Sequence, residues 1–295
     1  MTESNQFQLK KLEQHRSFNG AITTYQHSSK VLGCDMCFSI FIPDLTRDTK
    51  MPLVTFLSGL TCTHENFIHK AGALQHAAAH NLILLIPDTS PRGDHIPDST
   101  DYDLGQGASF YLNATQKPWV EHYQMETYLT LELQELVGNS FPVNLKRQGI
   151  FGHSMGGYGA IVLFLKHPEL YTSISAFSPI TAPTIVPWGQ KAFTHYLGPN
   201  QSSWADYDAC DLVLKANDEQ KQTVILIDQG LSDQFLENQL KPEIFKEHCD
   251  QALQLLSLRL HKGYDHSYYF IQSFIQDHIE HHAALLHPQG LYESS

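Results

Sequence analysis

The chain has 295 residues, of which 42% are hydrophobic and 17% charged, a mixture that supplies a large core and excludes disordered, collagen-like and coiled-coil chains. With 19 Lys and Arg against 31 Asp and Glu the formal net charge is -12, so the basic footprint of a nucleic-acid or anionic-membrane binder is missing and a small molecule is the expected partner. No repeat, low-complexity tract or linker divides the chain, and the length suits a single domain over 1–295.

The first ten residues have no apolar leader, and no uninterrupted apolar stretch is long enough to span a bilayer. Five cysteines, at 34, 37, 62, 210 and 249, do not make the dense, even framework of a small secreted domain. A reducing cytoplasm is expected. The residues leave the oligomeric state open, a homodimer included.

In chain order, Ala21 to Ser28 and Asp35 to Ile42 are rich in Thr, Tyr, Ile and Phe and read as an antiparallel lead-in. From Pro52 short apolar runs alternate with helix-length amphipathic segments, the rhythm of a mostly parallel sheet covered on both faces. Strands are expected at Leu53 to Leu57, Leu82 to Ile86, Gln148 to Phe151, Ser173 to Phe177, Val224 to Ile227 and Leu256 to Leu260. Helices are expected at Asn66 to Ala79, Trp119 to Val137, Met155 to Lys166, Pro242 to Leu253 and Tyr268 to Leu286. Asp88 to Lys117 and Ser178 to Asn217 remain as long irregular stretches of the kind that line sites.

Chemistry concentrates first at Gly152-His153-Ser154-Met155-Gly156, where a strand runs into Gly-x-Ser-x-Gly and then into a helix. A bare motif of this kind also fits a serine that caps a helix beside packing glycines. The strand before, the helix after, and an acid and a base downstream in the order Ser, Asp, His favour a nucleophile elbow in an α/β-hydrolase fold. The base is His266, in the loop between the last strand and the last helix. Two acids follow the strand at Val224: Asp228 ends it and should hold the turn through backbone N–H groups, whereas Asp233 lies in the loop beyond and can reach an imidazole. Asp233 is therefore the acid, and Asp265, adjacent to the base, is a poor partner. His278, His281, His282 and His287 resemble a metal cluster only superficially and read as a solvent-facing surface. Cys34 and Cys37 fall on opposite faces of a strand, which argues against a zinc or redox pair.

The ordered segments Phe56-Leu57-Ser58-Gly59-Leu60-Thr61-Cys62-Thr63, Pro87-Asp88-Thr89-Ser90-Pro91-Arg92-Gly93, Gly107-Ala108-Ser109-Phe110-Tyr111, Gly152 to Gly157, Asp228-Gln229-Gly230 and Gly263 to Phe270 span nearly the whole chain. Together they resemble S-formylglutathione hydrolase, also called esterase D. The resemblance implies Ser154 as nucleophile, Asp233 as acid, His266 as base, and the backbone N–H groups of Leu60 and Met155 as the oxyanion hole. This agrees with the rule that such a hole takes one N–H from the residue after the nucleophile and one from the loop after strand three, here Ser58-Gly59-Leu60. The resemblance also places Cys62 beside the nucleophile, as a near-site thiol. Tyr158, His64, Ser109 and Asn113 depart from the family pattern and bear on the shape of the substrate pocket.

The implied activity is hydrolysis of the thioester S-formylglutathione to formate and glutathione, a step of formaldehyde detoxification, with no metal or organic cofactor. A general short-chain carboxylesterase uses the same triad, and a non-catalytic module on the same fold is the rival of a different class.

Overall fold

The computed structural model describes residues 8–44 and 50–287. Residues 1–7, 45–49 and 288–295 lie outside the described residues, and with them most of the segment read above as lacking a leader. Nine strands form one sheet: β1 Lys10–Ser17, β2 Gly20–Ser29, β3 Cys34–Pro43, β4 Met51–Leu57, β5 Ile83–Pro87, β6 Val143–His153, β7 Ser173–Phe177, β8 Ile225–Gly230 and β9 Leu256–His261. Their spatial order is β1-β2-β3-β5-β4-β6-β7-β8-β9. The first three strands meet one another and β5 antiparallel, and every pairing from β5 to β9 is parallel. This is the α/β-hydrolase arrangement read from the sequence, with the antiparallel lead-in in place.

Side chains on the central strands alternate between two buried clusters. Leu53 and Leu57 of β4 join Ile83 and Leu85 of β5 in one cluster, while Val54 and Phe56 join Leu84 and Ile86 in the other. Since neighbouring residues on a strand point to opposite faces, the two clusters are the two faces of the sheet. Helices Met155–Lys166 and Tyr268–Leu286 run over the ranges read from the sequence.

Several elements differ: the strand expected from Gln148 begins at Val143, and a short helix, Asp218–Gln222, was not expected. β1 was not expected: Lys10–Ser17 carries polar residues on both faces and is almost wholly exposed, and it forms because β2 offers it an open edge. The helix expected from Asn66 to Ala79 is two helices, His64–Lys70 and Ala73–Ala79, parted at Gly72, whose φ of 71° no helix accommodates. Trp119 to Val137 begins as a 3-10 turn at Trp119–Glu121, becomes helical at Met125 and contains a π turn over Tyr128–Glu132. The stretch Ser178 to Asn217 contains helices Pro187–Leu197 and Ala209–Val213. Its Trp188 ring packs 4.7 Å from Phe235, which closes one side of the cavity described next.

Among the described residues no helix is long and apolar enough to cross a membrane.

Candidate active site

The parallel strands deliver the loops after β4, β6, β8 and β9 to one edge of the sheet, which is where open α/β sheets place their sites. β6 ends at His153, and Ser154 turns the chain into the helix Met155–Lys166 with φ 58° and ψ −121°. A serine held there stores strain, which the surrounding hydrogen bonds must fix. The Ser154 N–H donates to Phe177 O at 3.0 Å, and its carbonyl accepts from Tyr158 N at 3.0 Å. The two glycines of the motif allow the turn: a Cβ on Gly152 would lie 2.2 Å from Gly156 O, and one on Gly156 would lie 1.9 Å from Leu57 O.

Asp233 stands three residues past β8 with its side chain fully buried, and His266 stands five past β9 with its side chain 12% exposed. His266 Nδ1 lies 2.5 Å from Asp233 Oδ2. A carboxylate accepts only, so Nδ1 carries the proton and Nε2 is left as a base. Asp233 is fixed from two further sides, by the Phe235 N–H on Oδ1 at 2.8 Å and by Gln229 Nε2 on Oδ2 at 3.3 Å. Asp265 instead accepts from the backbone and hydroxyl of Ser267, at 3.0 and 2.6 Å.

The His266 ring sits 4.4 Å from that of His153 and meets Phe235 edge-on at 5.0 Å. Burial, and then the neighbouring His266, push the His153 imidazole well below its usual range, so His153 is a neutral wall. Ser154 and His266 line one cavity of about 350 Å³, with Gly59, Leu60, Cys62 and Trp188 among its other walls. No hydrogen bond joins Ser154 to His266 among the described residues.

The loop after β4 is clamped from behind. Cys62 O accepts from Thr89 Oγ1 at 2.6 Å and Arg92 Nη2 at 3.0 Å, Thr61 N donates to Gly107 O at 2.9 Å, and Tyr111 Oη donates to Ser58 O at 2.7 Å. Within this frame the Leu60 N–H has no protein acceptor among the described residues. The same holds for Met155, whose N–H opens a helix and so has no intrahelical partner. The Cys62 thiol is pushed up by burial, which outweighs the opposing charge of Lys70, so it stays protonated at neutral pH.

Tyr158, His64, Ser109 and Asn113, expected to shape the pocket, are absent from its walls. Tyr158 is buried and donates to Tyr207 O, and Ser109 donates to Thr89 O. Ser109 thereby bears on the frame of the pocket, since Thr89 in turn holds Cys62 O.

Two further readings are corrected. Asp228 does not hold a turn: it is fully buried in β8, and Arg259 meets both its oxygens at 2.5 Å. Nor do the late histidines form a solvent-facing surface, because His278 and His282 are fully buried. They form a directed chain in which Ser173 Oγ donates to His282 Nδ1 (2.7 Å), His282 Nε2 to Ser175 Oγ (3.0 Å), Ser175 Oγ to His278 Nδ1 (2.8 Å) and His278 Nε2 to Asp228 Oδ2 (3.3 Å). One tautomer of each ring satisfies every bond. Burial holds both imidazoles below their usual range, so the chain is uncharged up to Asp228. This Ser–His network lies off the cavity and is structural.

The chain matches a family model for esterases, described as "Putative esterase", over residues 29–281. Among solved structures, an S-formylglutathione hydrolase from Agrobacterium tumefaciens is 44% identical over 94% of this chain and 99% of its own, with a TM-score of 0.91. An S-formylglutathione hydrolase from Staphylococcus aureus is 19% identical, covering 90% of this chain and 99% of its own at a TM-score of 0.69. A ferulic acid esterase from Anaeromyces mucronatus is 17% identical, covering 96% and 97% at a TM-score of 0.63. The last two likenesses are of fold.

Proposed function

This chain belongs to the S-formylglutathione hydrolase family of α/β esterases, and we propose that it hydrolyses S-formylglutathione to formate and glutathione, the hydrolytic step of formaldehyde detoxification. The observation that carries the reading is the pairing of His266 Nδ1 with buried Asp233, which leaves Nε2 as the base in the cavity that holds Ser154 on its elbow. The 44% identical relative supports the thioester as substrate.

His266 Nε2 takes the Ser154 hydroxyl proton as Oγ attacks the formyl carbonyl, and the Leu60 and Met155 N–H groups stabilise the oxyanion. The tetrahedral species collapses with cleavage of the carbon–sulfur bond, and the departing glutathione sulfur takes the proton from His266. Water, deprotonated by the same imidazole, then attacks the formyl-serine, and Ser154 leaves with that proton, releasing formate. Asp233 stays ionised throughout and stabilises the imidazolium. Five free thiols, none of them in a disulfide, are consistent with placing this reaction in the reducing cytoplasm, where glutathione is abundant.

The test compares kcat/KM for S-formylglutathione with that for p-nitrophenyl acetate. A preference for the thioester of roughly a hundredfold or more is expected, since that ratio measures differential binding of the two transition states. Equal values, or preference for the aryl ester, would make the protein a general carboxylesterase.

A further inference from the structure

We infer that Lys70 binds a carboxylate of the departing glutathione, in an outer chamber that continues the catalytic cavity; this rests on the thioesterase reading above. The outer chamber measures about 590 Å³ and is walled by His69, Lys70, Ser267, Tyr268, Tyr269 and Gln272. Lys70, Ser267 and Tyr268 belong to the walls of both spaces. A thioester with its acyl carbon at Ser154 and its thiol side directed outward therefore passes Lys70 as it leaves the inner cavity.

The charge pattern selects the ligand. The chain carries 31 Asp and Glu and a net charge of -12, yet no carboxylate lines either chamber, and the cation common to both is Lys70. A field otherwise hostile to anions is thus relieved along this path. Lys70 closes the helix His64–Lys70, an end where a cation is favoured by the helix dipole. Its Nζ stands 5.5 Å from the centre of the Tyr268 ring and pairs with no carboxylate among the described residues. The ammonium is thus oriented by an aromatic face and has no acidic partner of its own. Glutathione brings two carboxylates on a flexible tripeptide, and its amide planes suit the exposed Tyr269 and the Tyr268 face beside the ammonium. A thioester of a small neutral thiol has nothing for Lys70 to hold.

The experiment uses the native enzyme and the Lys70→Ala, Lys70→Glu and Lys70→Arg variants, with S-formylglutathione and p-nitrophenyl acetate as substrates and S-methylglutathione as an inhibitor of aryl-ester hydrolysis. The ratio of kcat/KM for thioester over aryl ester is expected to fall about fivefold in Lys70→Ala, the scale of one exposed ion pair. The fall should sit in KM, be larger in Lys70→Glu and be largely restored in Lys70→Arg. Inhibition by S-methylglutathione should weaken by the same factor. Equal inhibition of native and Lys70→Ala protein, or no inhibition of native protein, would overturn the assignment. If native protein fails to turn over S-formylglutathione while its inhibition by S-methylglutathione still depends on Lys70, the proposed reaction is wrong and the anion subsite stands.

Discussion

Asp228 and Arg259 form a two-point ion pair inside the sheet, Nε on Oδ1 and Nη2 on Oδ2, both at 2.5 Å. Burial raises the Asp228 carboxyl, but hydrogen bonds from His278 and Arg259 outweigh it and hold the group well below the usual carboxylate range. His278 is neutral here and donates a proton, so the compensating charge is that of Arg259. Five residues later Asp233 makes the other kind of contact, to a single imidazole at the cavity. In the proposed mechanism, two aspartates on one strand and its loop thus divide structure from chemistry.

Substitution should separate them. Asp228→Asn removes one of the two carboxylates on Arg259, which keeps Asp277 at 2.7 Å, and the anion that ends the His278 chain, and is expected to cost on the order of 1–3 kcal/mol of stability. Asp233→Asn is expected to keep its melting temperature within a few degrees and to lose roughly four orders of magnitude in kcat, because the imidazole loses the anion that fixes its tautomer. Urea titration and ester hydrolysis on both variants check this. A well-folded, inactive Asp228→Asn beside an active Asp233→Asn would reverse the assignment.

The fold was readable where pattern and burial coincide. Ser173–Phe177 and Met155–Lys166 are buried throughout, or nearly so, and their ends follow the change from apolar to polar. β1 was not readable, because its pairing depends on the open edge of β2 and not on any pattern of its own. The late histidines could have been read correctly. Ile271, Ile275, His278, His282 and Leu286 recur at helical spacing and are all buried, and Ser173 and Ser175 alternate on the strand they face. Treating His as simply polar hid that stripe. Lys70 gave no signal at all, since only the fold joins the helix His64–Lys70 to the loop at Ser267.

Ser154 and His266 should behave as one unit. Ser154→Ala is expected to lower kcat by about four to six orders of magnitude with unchanged thermal unfolding, and His266→Ala nearly as much. The double variant should cost little more than either single one. Steady-state rates on a chromogenic ester measure all three, and additive losses would show that the two residues do not share a mechanism. A fluorophosphonate probe should label native protein at Ser154 and leave Ser154→Ala unlabelled.

Stability should fall as the solution is acidified from neutrality. Burial depresses His278 and His282, and burial, then the neighbouring His278, push the partly buried His281 down to about 4. An unfolded chain takes up protons on these rings from about pH 6.5 downward, while the folded chain does not. Their contribution is therefore present above about pH 6.5 and lost as pH falls through the folded values, by up to about 1.4 kcal/mol per pH unit for each group. Asp88 and Asp208, whose carboxyls burial raises, act in the opposite sense nearer the carboxylate range. Urea midpoints at pH 8, 7, 6 and 5 should decline below 7. His281→Gln, which keeps a donor for Ile174 O but cannot titrate, should flatten the slope. Midpoints constant from pH 7 to 5 would contradict the account.

Cys62 provides the last test, because it lines the reacting cavity yet is not equipped to attack. Burial keeps its thiol protonated at neutral pH, and in the proposed mechanism the base serves Ser154. Cys62→Ala should therefore retain activity within a fewfold of native, whereas a nucleophilic cysteine would leave that variant dead. A maleimide adduct, or a mixed disulfide with glutathione, would fill the space between Leu60 and Ser154 and block the acyl group by occlusion. Because the thiolate is the reactive form, inactivation should be slow at pH 7 and quicken roughly tenfold per unit toward pH 9. Residual esterase activity after timed maleimide treatment, with mass spectrometry to locate the adduct, decides the matter. Resistance of Cys62→Ala is the expected result, and equal inactivation of both proteins would move the sensitive thiol elsewhere.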